Sequence, residues 1–327
     1  MSENYRLVIR QPGGPEAIER EVFNLPPVPG PGEVRIRNRA IGLNFIDVYH
    51  RMGLYPLPYP AGLGREAAGE VEALGPGVSG FAVGDRVGYL FAPGGTYATH
   101  SIAAADSLIR LPDEISDEMA AAVLLKGLTS WMLIEKCARV AARQAVLVHA
   151  AAGGVGSIAV QWLKAIGAVA IGHAGNDAKA ARAKALGAHH VLSGDFAALA
   201  TSVRALTDGR GVSAVLDGVG RDSWQASLDS LARRGTMVSF GNASGPAPAI
   251  EPLELSRRGS LMLTRPTLGD FVIDPAERQQ GADALFGHIK SGAVTIEIGQ
   301  RFPLEAAAEA HRALEARETT GSTILLP

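Results

Sequence analysis

The sequence predicts an α/β protein of two domains: a small antiparallel β-barrel or sandwich, and a doubly wound parallel sheet with helices on both faces. Three observations predict it. Over residues 1 to about 125, short stretches alternate apolar and polar residues between Gly- and Pro-rich turns. From about 126 to 263, apolar strands alternate with helical segments, the pattern of a parallel sheet. Beyond about 264 come two further helix–strand pairs, whose strands are free to rejoin the first domain. A chain of 327 residues with 47% hydrophobic residues is long enough and apolar enough for two buried cores.

In the first region, Tyr5–Arg10 and Glu33–Arg37 alternate as half-buried strands do. Between them "NLPPVPGPGE" breaks any helix. Gly69–Leu90 reads as a run of short strands joined by Gly and Pro turns. In the second region, strands are expected at Ala145–Ala150, Ala168–Gly172, His190–Leu192, Val212–Asp217 and Thr236–Phe240. Helices are expected at Ile158–Ile166, Asp177–Leu186 (stopped by Gly187), Phe196–Leu206 and Ser223–Leu231. The last region carries helices over Pro275–Ser291 and Leu304–Ala316 and strands over Thr295–Gly299 and Ser322–Leu326. Domain one is therefore expected to comprise 1–125 and 264–327, and domain two 126–263. A domain inserted into another leaves a cleft suited to a small molecule.

A formal net charge of −2 and the lack of a basic stripe give no reason to expect a nucleic-acid partner. The single cysteine, Cys137, can neither close an internal disulfide nor share in a multi-cysteine zinc site. That fits a reducing cytoplasm. Met1–Arg10 has no apolar core of a signal peptide, and charges or glycines interrupt every candidate bilayer span.

The chemistry starts at "VLVHAAAGGVGS", Val146–Ser157. A dinucleotide fingerprint is G-x-G-x-x-G between a strand and a helix. Here the frame is Ala151-x-Gly153-x-x-Gly156, with alanine in the first place. Gly153 would let a pyrophosphate approach the backbone, and Gly156 would let the helix pack on the strand. Amides at the helix start would face the phosphates, helped by the helix dipole. A tight β–α corner would use the same glycines; the strand before, the helix after and a second strand about 20 residues on favour a cofactor. That second strand ends Ile171-Gly172-His173-Ala174-Gly175, without the carboxylate that holds an NAD ribose. Nothing there repels a 2′-phosphate. Lys179 reads either as its cation or as an ordinary solvated lysine. Asp177 opposes a phosphate unless it caps the helix.

The chain resembles the zinc-free, ζ-crystallin-like quinone oxidoreductases of the medium-chain dehydrogenase/reductase superfamily. The resemblance runs nearly end to end. It is carried by "AIGLNFIDVYHRMGLYP" (Ala40–Pro56), "GLGREAAGEV" (Gly62–Val71), "LLKGLTSW" (Leu124–Trp131), "HAAAGGVGSIAVQWLKAIGA" (His149–Ala168), "RRGTMVSFGNASG" (Arg233–Gly245), "GSLMLTRPTL" (Gly259–Leu268) and the terminal "ALEARETTGSTILLP". It implies a GroES-like β-barrel catalytic domain, a Rossmann NADP-binding domain, NADPH as cofactor, a quinone as acceptor and a homodimer. By position it puts Asn44, Phe45, Ile46 and Asp47 beside the nicotinamide and Thr129 near the cofactor. Gly153, Gly154 and Val155 would cradle the pyrophosphate. Gly172, His173 and Lys179 would lie toward the 2′-phosphate. Phe240, Gly241, Asn242, Arg265 and Arg317 would complete the groove. Gly194 stands where the family's pattern has a tyrosine and Gly218 where it has a serine. His173 replaces a small polar residue, able to stack or donate a hydrogen bond if neutral and to add charge beside the phosphate if protonated. The strictness of NADPH over NADH is therefore open.

Where zinc-dependent relatives carry Gly-His-Glu, this chain has Gly64-Arg65-Glu66. A guanidinium has no lone pair to ligate with. The histidines (His50, His100, His149, His189, His190, His288, His311) form no ligand spacing and read as surface or packing residues. No catalytic metal is expected, and Glu66 is expected to be structural, in the cleft between the domains. Without a Lewis acid, alcohol oxidation cannot stabilise its alkoxide. A quinone needs less help, taking electrons as hydride or singly. Tyr49 and Tyr55 are the candidates to orient a carbonyl or stack on a ring, with barrel packing as the other reading. Two alternatives stand beside quinone reduction: an NADPH-dependent reductase of activated C=C bonds, and a non-catalytic RNA-binding or structural relative.

Overall fold

The computed structural model describes residues 3–24, 26–316 and 318–327. They divide into two compact units, one of 1–125, 273–282 and 296–327, the other of 126–272 and 283–295.

The first unit is antiparallel at heart. Asn4–Ile9 pairs with Glu19–Phe23 on one side and Ala61–Gly62 on the other. A seven-stranded sheet runs in the order Ile298–Pro303, Ser322–Leu326, Glu33–Leu43, Glu66–Leu74, Arg86–Leu90, Ile109–Arg110, with His100–Ala104 also on Glu33–Leu43. Alternation explains the long strand Glu33–Leu43: Val34, Ile36, Asn38 and Ala40 face inward in turn. Val34 and Ile36 join Leu63, Val71, Val87 and Leu325 in one core, closed by Leu304, Ala307 and Ala310. Buried Asn38 donates to the Thr96 and Ala98 carbonyls and to Ser101 Oγ, and Tyr89 donates to its Oδ1 at 2.6 Å. Such a satisfied network is tolerated inside an apolar barrel where an unpaired amide is not.

The second unit is a six-stranded parallel sheet. Its order is His190–Ser193, Val169–Ala174, Ala145–Val148, Val212–Asp217, Leu231–Ser239, Met262–Thr264. Counted within the unit this is 3-2-1-4-5-6, the doubly wound dinucleotide-binding order. Helices Gly154–Ala165, Asp177–Ala185, Leu199–Ala205 and Trp224–Ser230 connect the strands.

Four differences from the sequence expectation have physical reasons. Residues 264–272 and 283–295 belong with the second unit, not the first. A Cβ on Gly127 would meet Leu285 at 2.5 Å, the Trp162 and His288 rings lie 4.5 Å apart, and Gln161 exchanges hydrogen bonds with the Thr295 backbone. A helix at Asp117–Trp131 escapes the periodicity because Ala120–Leu125 is buried all round and carries no amphipathic stripe. The strand expected at Thr295–Gly299 forms at Ile298–Pro303, where it pairs with Ser322–Leu326. Helix Asp177–Ala185 is capped not by Asp177 but by Asn176, whose Oδ1 accepts the Lys179 amide at 2.9 Å. Among the described residues no helix is long and apolar enough to cross a membrane.

Candidate active site

In the second unit the chain leaves strand Ala145–Val148, turns left-handed at Ala150 (φ 49°) and enters its helix at Gly154. Alanine, not glycine, takes the positive φ. The glycines serve contact. A Cβ on Gly156 would lie 2.2 Å from the Ala150 carbonyl oxygen, so the helix can pack here only without a side chain. Gly153 is less constrained: its φ of −81° suits any residue, and its Cβ would lie 3.1 Å from the same oxygen. No side chain caps the helix, and its first turn holds no acid. The first amides, Gly154 and Val155 among them, have no intrahelical acceptor and present a positive field to an anion. This bare glycine-lined cradle fits a dinucleotide pyrophosphate.

Around it, Gly172 is a packing glycine, its Cβ position 2.9 Å from that of Ala151. Phe240 lies across Gly218, where a Cβ would meet the ring at 2.9 Å, and Gly241 passes so close to the Gly218 carbonyl that a Cβ would reach 2.3 Å. A serine at 218 would require the Phe240 ring to shift. Asn242 follows in the same loop. Arg265 donates to the Ser239 carbonyl at 2.9 Å from an exposed position. Lys179 is exposed, and Asp177 beside it accepts from Ser193 Oγ at 2.8 Å. Thr129 is half-buried within the helix Asp117–Trp131. Arg317 lies outside the described residues.

His149 and His173 are not surface groups. His149 is 1% exposed and His173 4% exposed; both pack on Phe196. Burial pushes His149 down to about 4, against the opposing pull of Asp217. His173 is also lowered, first by burial.

In the first unit, Asn44, Phe45, Ile46, Asp47, Tyr49 and Tyr55 are brought together by the helix Phe45–Arg51 and the turn after it. Asn44 Nδ2 donates to Glu66 Oε1 at 2.6 Å, and Glu66 Oε2 accepts the Leu125 amide at 2.6 Å. Glu66 is fully buried and holds Asn44 in place. Asp47 Oδ2 accepts the Asn44 amide and the Tyr97 hydroxyl. Burial raises the Asp47 carboxyl to about 7, against the pull of the Asn44 amide and Arg65. Tyr97 leads on to His311 at 3.1 Å, then to buried Arg51 and its bidentate pair with Glu315. Sequence reading missed this network. Tyr49 and Tyr55 rings meet edge to face at 5.4 Å, with Phe45 6.3 Å from Tyr49. Both tyrosines are half-buried and Phe45 is exposed, so an apolar, partly open aromatic surface lies beside Asn44.

Arg65 Nε donates to His50 Nδ1 at 3.1 Å. Burial, then Arg65, lowers His50 to about 4. The guanidinium thus takes up the lone pair of that imidazole nitrogen. Among the described residues no three His, Cys, Asp or Glu side chains gather as metal ligands.

Residues 30–113 match the family model described as alcohol dehydrogenase GroES-like domain, and 154–287 that described as zinc-binding dehydrogenase. The quinone oxidoreductase of Pseudomonas aeruginosa is 51% identical over 316 residues, 96% of this chain and 97% of that one. The 2-haloacrylate reductase of a Burkholderia species is 41% identical over 98% of each chain. Among solved structures, Escherichia coli quinone oxidoreductase complexed with NADPH superposes with a TM-score of 0.94 at 43% identity, covering 99% of this chain and all of that one.

Proposed function

The chain belongs to the zinc-free quinone oxidoreductases of the medium-chain dehydrogenase/reductase superfamily, and from that premise we propose that it reduces quinones with NADPH. The observation that carries the reading is the uncapped helix at Gly153–Gly154 in a 3-2-1-4-5-6 sheet. NADPH, when bound, supplies a hydride from its nicotinamide ring. The chain's own residues bind and orient. Gly153, Gly154 and Val155 hold the pyrophosphate through backbone amides. Lys179, on a helix whose cap is Asn176, meets the 2′-phosphate. Phe240, Gly241, Asn242, Arg265 and Thr129 line the rest of the cofactor's path; Arg317, outside the described residues, is assigned to the cofactor by the family resemblance alone. Asn44, oriented by Glu66, and Asp47 fix the nicotinamide end. Tyr49 and Tyr55 offer ring faces to a flat acceptor and hydroxyls to its carbonyl. A quinone's reduced oxygen is a weak base that water protonates, so no strong acid is required.

A second reading, reduction of an electron-poor C=C bond, is favoured by the likeness to a 2-haloacrylate reductase. Steady-state turnover with NADPH and NADH against a panel of quinones and enones separates the two. We expect quinones to give the higher kcat/KM, and a chelator to change no rate. Enones winning throughout would overturn the quinone reading; chelator-sensitive turnover would overturn the metal-free one.

We also place the protein in the cytoplasm, on its single half-buried Cys137; recovery from an oxidising compartment would contradict that. The exposed Met262 lies on the outermost strand, Met262–Thr264, which offers an edge for pairing with a second copy. Sedimentation should give a homodimer mass, and a monomer at micromolar concentration would reject the pairing.

A further inference from the structure

His173 sits where an NAD-binding sheet would carry a carboxylate, at the end of its second strand. Its hydrogen bonds can be counted. Ser227 Oγ donates to Asp217 Oδ2 at 2.7 Å, and Asp217 also accepts from Ser223 Oγ and from the amides of Val219 and Gly220. A hydroxyl has one proton to give. His149 Nε2, 2.8 Å from Ser227 Oγ, must therefore be the donor there. A neutral His149 then turns a bare Nδ1 toward His173 Nδ1, 3.5 Å away. On its other side His173 Nε2 faces the Gly194 carbonyl oxygen at 3.2 Å. A neutral His173 can donate to one of these acceptors, not both. The imidazolium satisfies both.

The ionisable groups around the ring are His149 from the first strand's end, Asp217 from the fourth, and Asp195 after the third. The two carboxylates favour the charged ring, and burial opposes it and prevails. The balance is close to a surface that can take a ligand. A Cβ on Gly175 or on Gly194 (φ 107°) would meet nothing within 4 Å, so the tips of the paired strands Val169–Ala174 and His190–Ser193 border open space. An added dianion there would tip His173 to its charged form.

We infer that His173 is a proton-linked selector for the phosphorylated dinucleotide, taking up a proton when a 2′-phosphate binds at these strand tips. The inference rests on the dinucleotide reading above. Preference for NADPH over NADH then grows as pH falls, because protonation and phosphate binding favour each other. The phosphate's own second ionisation, near pH 6, pushes the opposite way, since it loses charge in acid.

Titration of the whole protein with NADPH and with NADH, from about pH 8.5 to about pH 6, tests this. The affinity ratio should rise about fivefold in the native protein, equivalent to ~1 kcal/mol of coupling. In His173→Gln it should stay flat or fall. Calorimetry of the unaltered protein in two buffers of different ionisation enthalpy needs no variant. It should find a net proton taken up with NADPH and none with NADH at about pH 7.5. A constant ratio with both nucleotides bound, a slope retained in His173→Gln, or no proton uptake would overturn the inference alone. Binding of neither nucleotide would overturn it together with the cofactor reading.

Discussion

Gly153→Val raises the Kd of NADPH and of NADH together by about 100-fold, ~2.7 kcal/mol, while the thermal midpoint stays within about 2 °C. The reasoning separates two glycines of one turn. At Gly153 the backbone is extended, with φ −81° and ψ −179°, so valine meets no conformational penalty. Its Cβ would stand 3.1 Å from the Ala150 carbonyl oxygen, so the backbone has to give by only a few tenths of an ångström, against the 2.2 Å approach at Gly156. What valine fills is the surface in front of the Gly154 and Val155 amides, which an anion must approach. Both nucleotides share the pyrophosphate, so both suffer. Gly156→Ala behaves differently, because its Cβ would stand 2.2 Å from backbone that cannot swing aside. It should cost about 3 kcal/mol of stability as overpacking, and lose nucleotide binding only as a consequence. Isothermal titration beside a thermal melt distinguishes the two. Native affinity in Gly153→Val would mean that the turn is a corner and nothing more.

That contrast also marks what a sequence can disclose. The parallel sheet was legible because its strands are continuous apolar runs, each bounded by a local signal, and Gly156 was legible because close helix–strand contact admits one residue type. The helix Asp117–Trp131 was hidden because a segment buried on every side has no period to read. The attachment of 283–295 to the sheet domain depends on partners such as Gly127 and Gln161, more than a hundred residues away, and no local pattern encodes them. The same holds for the site. Asn44 and the tyrosines stand together on one short helix and its turn, so proximity in sequence already implied proximity in space. The chain from Asp47 through Tyr97 and His311 to Arg51 and Glu315 joins the two ends of the protein, and only folding brings it together. The sequence offers His149 as a surface or packing group, and it packs; its partners Ser227 and Asp217 come from two later strand–helix steps and have no local signal.

Lys179→Ala weakens NADPH about 20-fold, ~1.8 kcal/mol, and leaves NADH within about twofold. The phosphate is the one difference between the two nucleotides, so a residue that touches it alone must act on one and spare the other. An ammonium–phosphate contact contributes about 1.5–3 kcal/mol, and the exposure of Lys179 keeps it toward the low end through solvent and salt screening. The effect should shrink further as ionic strength rises. The substitution is clean, because the helix does not depend on the side chain: the Lys179 amide is held by Asn176 Oδ1, and alanine is the strongest helix former. Lys179→Arg should keep most of the affinity, since the phosphate needs a cation within reach more than a particular geometry. Asp177, two residues before Lys179, keeps its charge while its carboxylate accepts from Ser193 Oγ at 2.8 Å, so it opposes the phosphate and holds the effect of Lys179 toward the low end. Fluorescence titration of both nucleotides at low and high salt measures all of this. Equal losses for NADPH and NADH would place Lys179 on the part they share, and no loss for either would put the 2′-phosphate elsewhere.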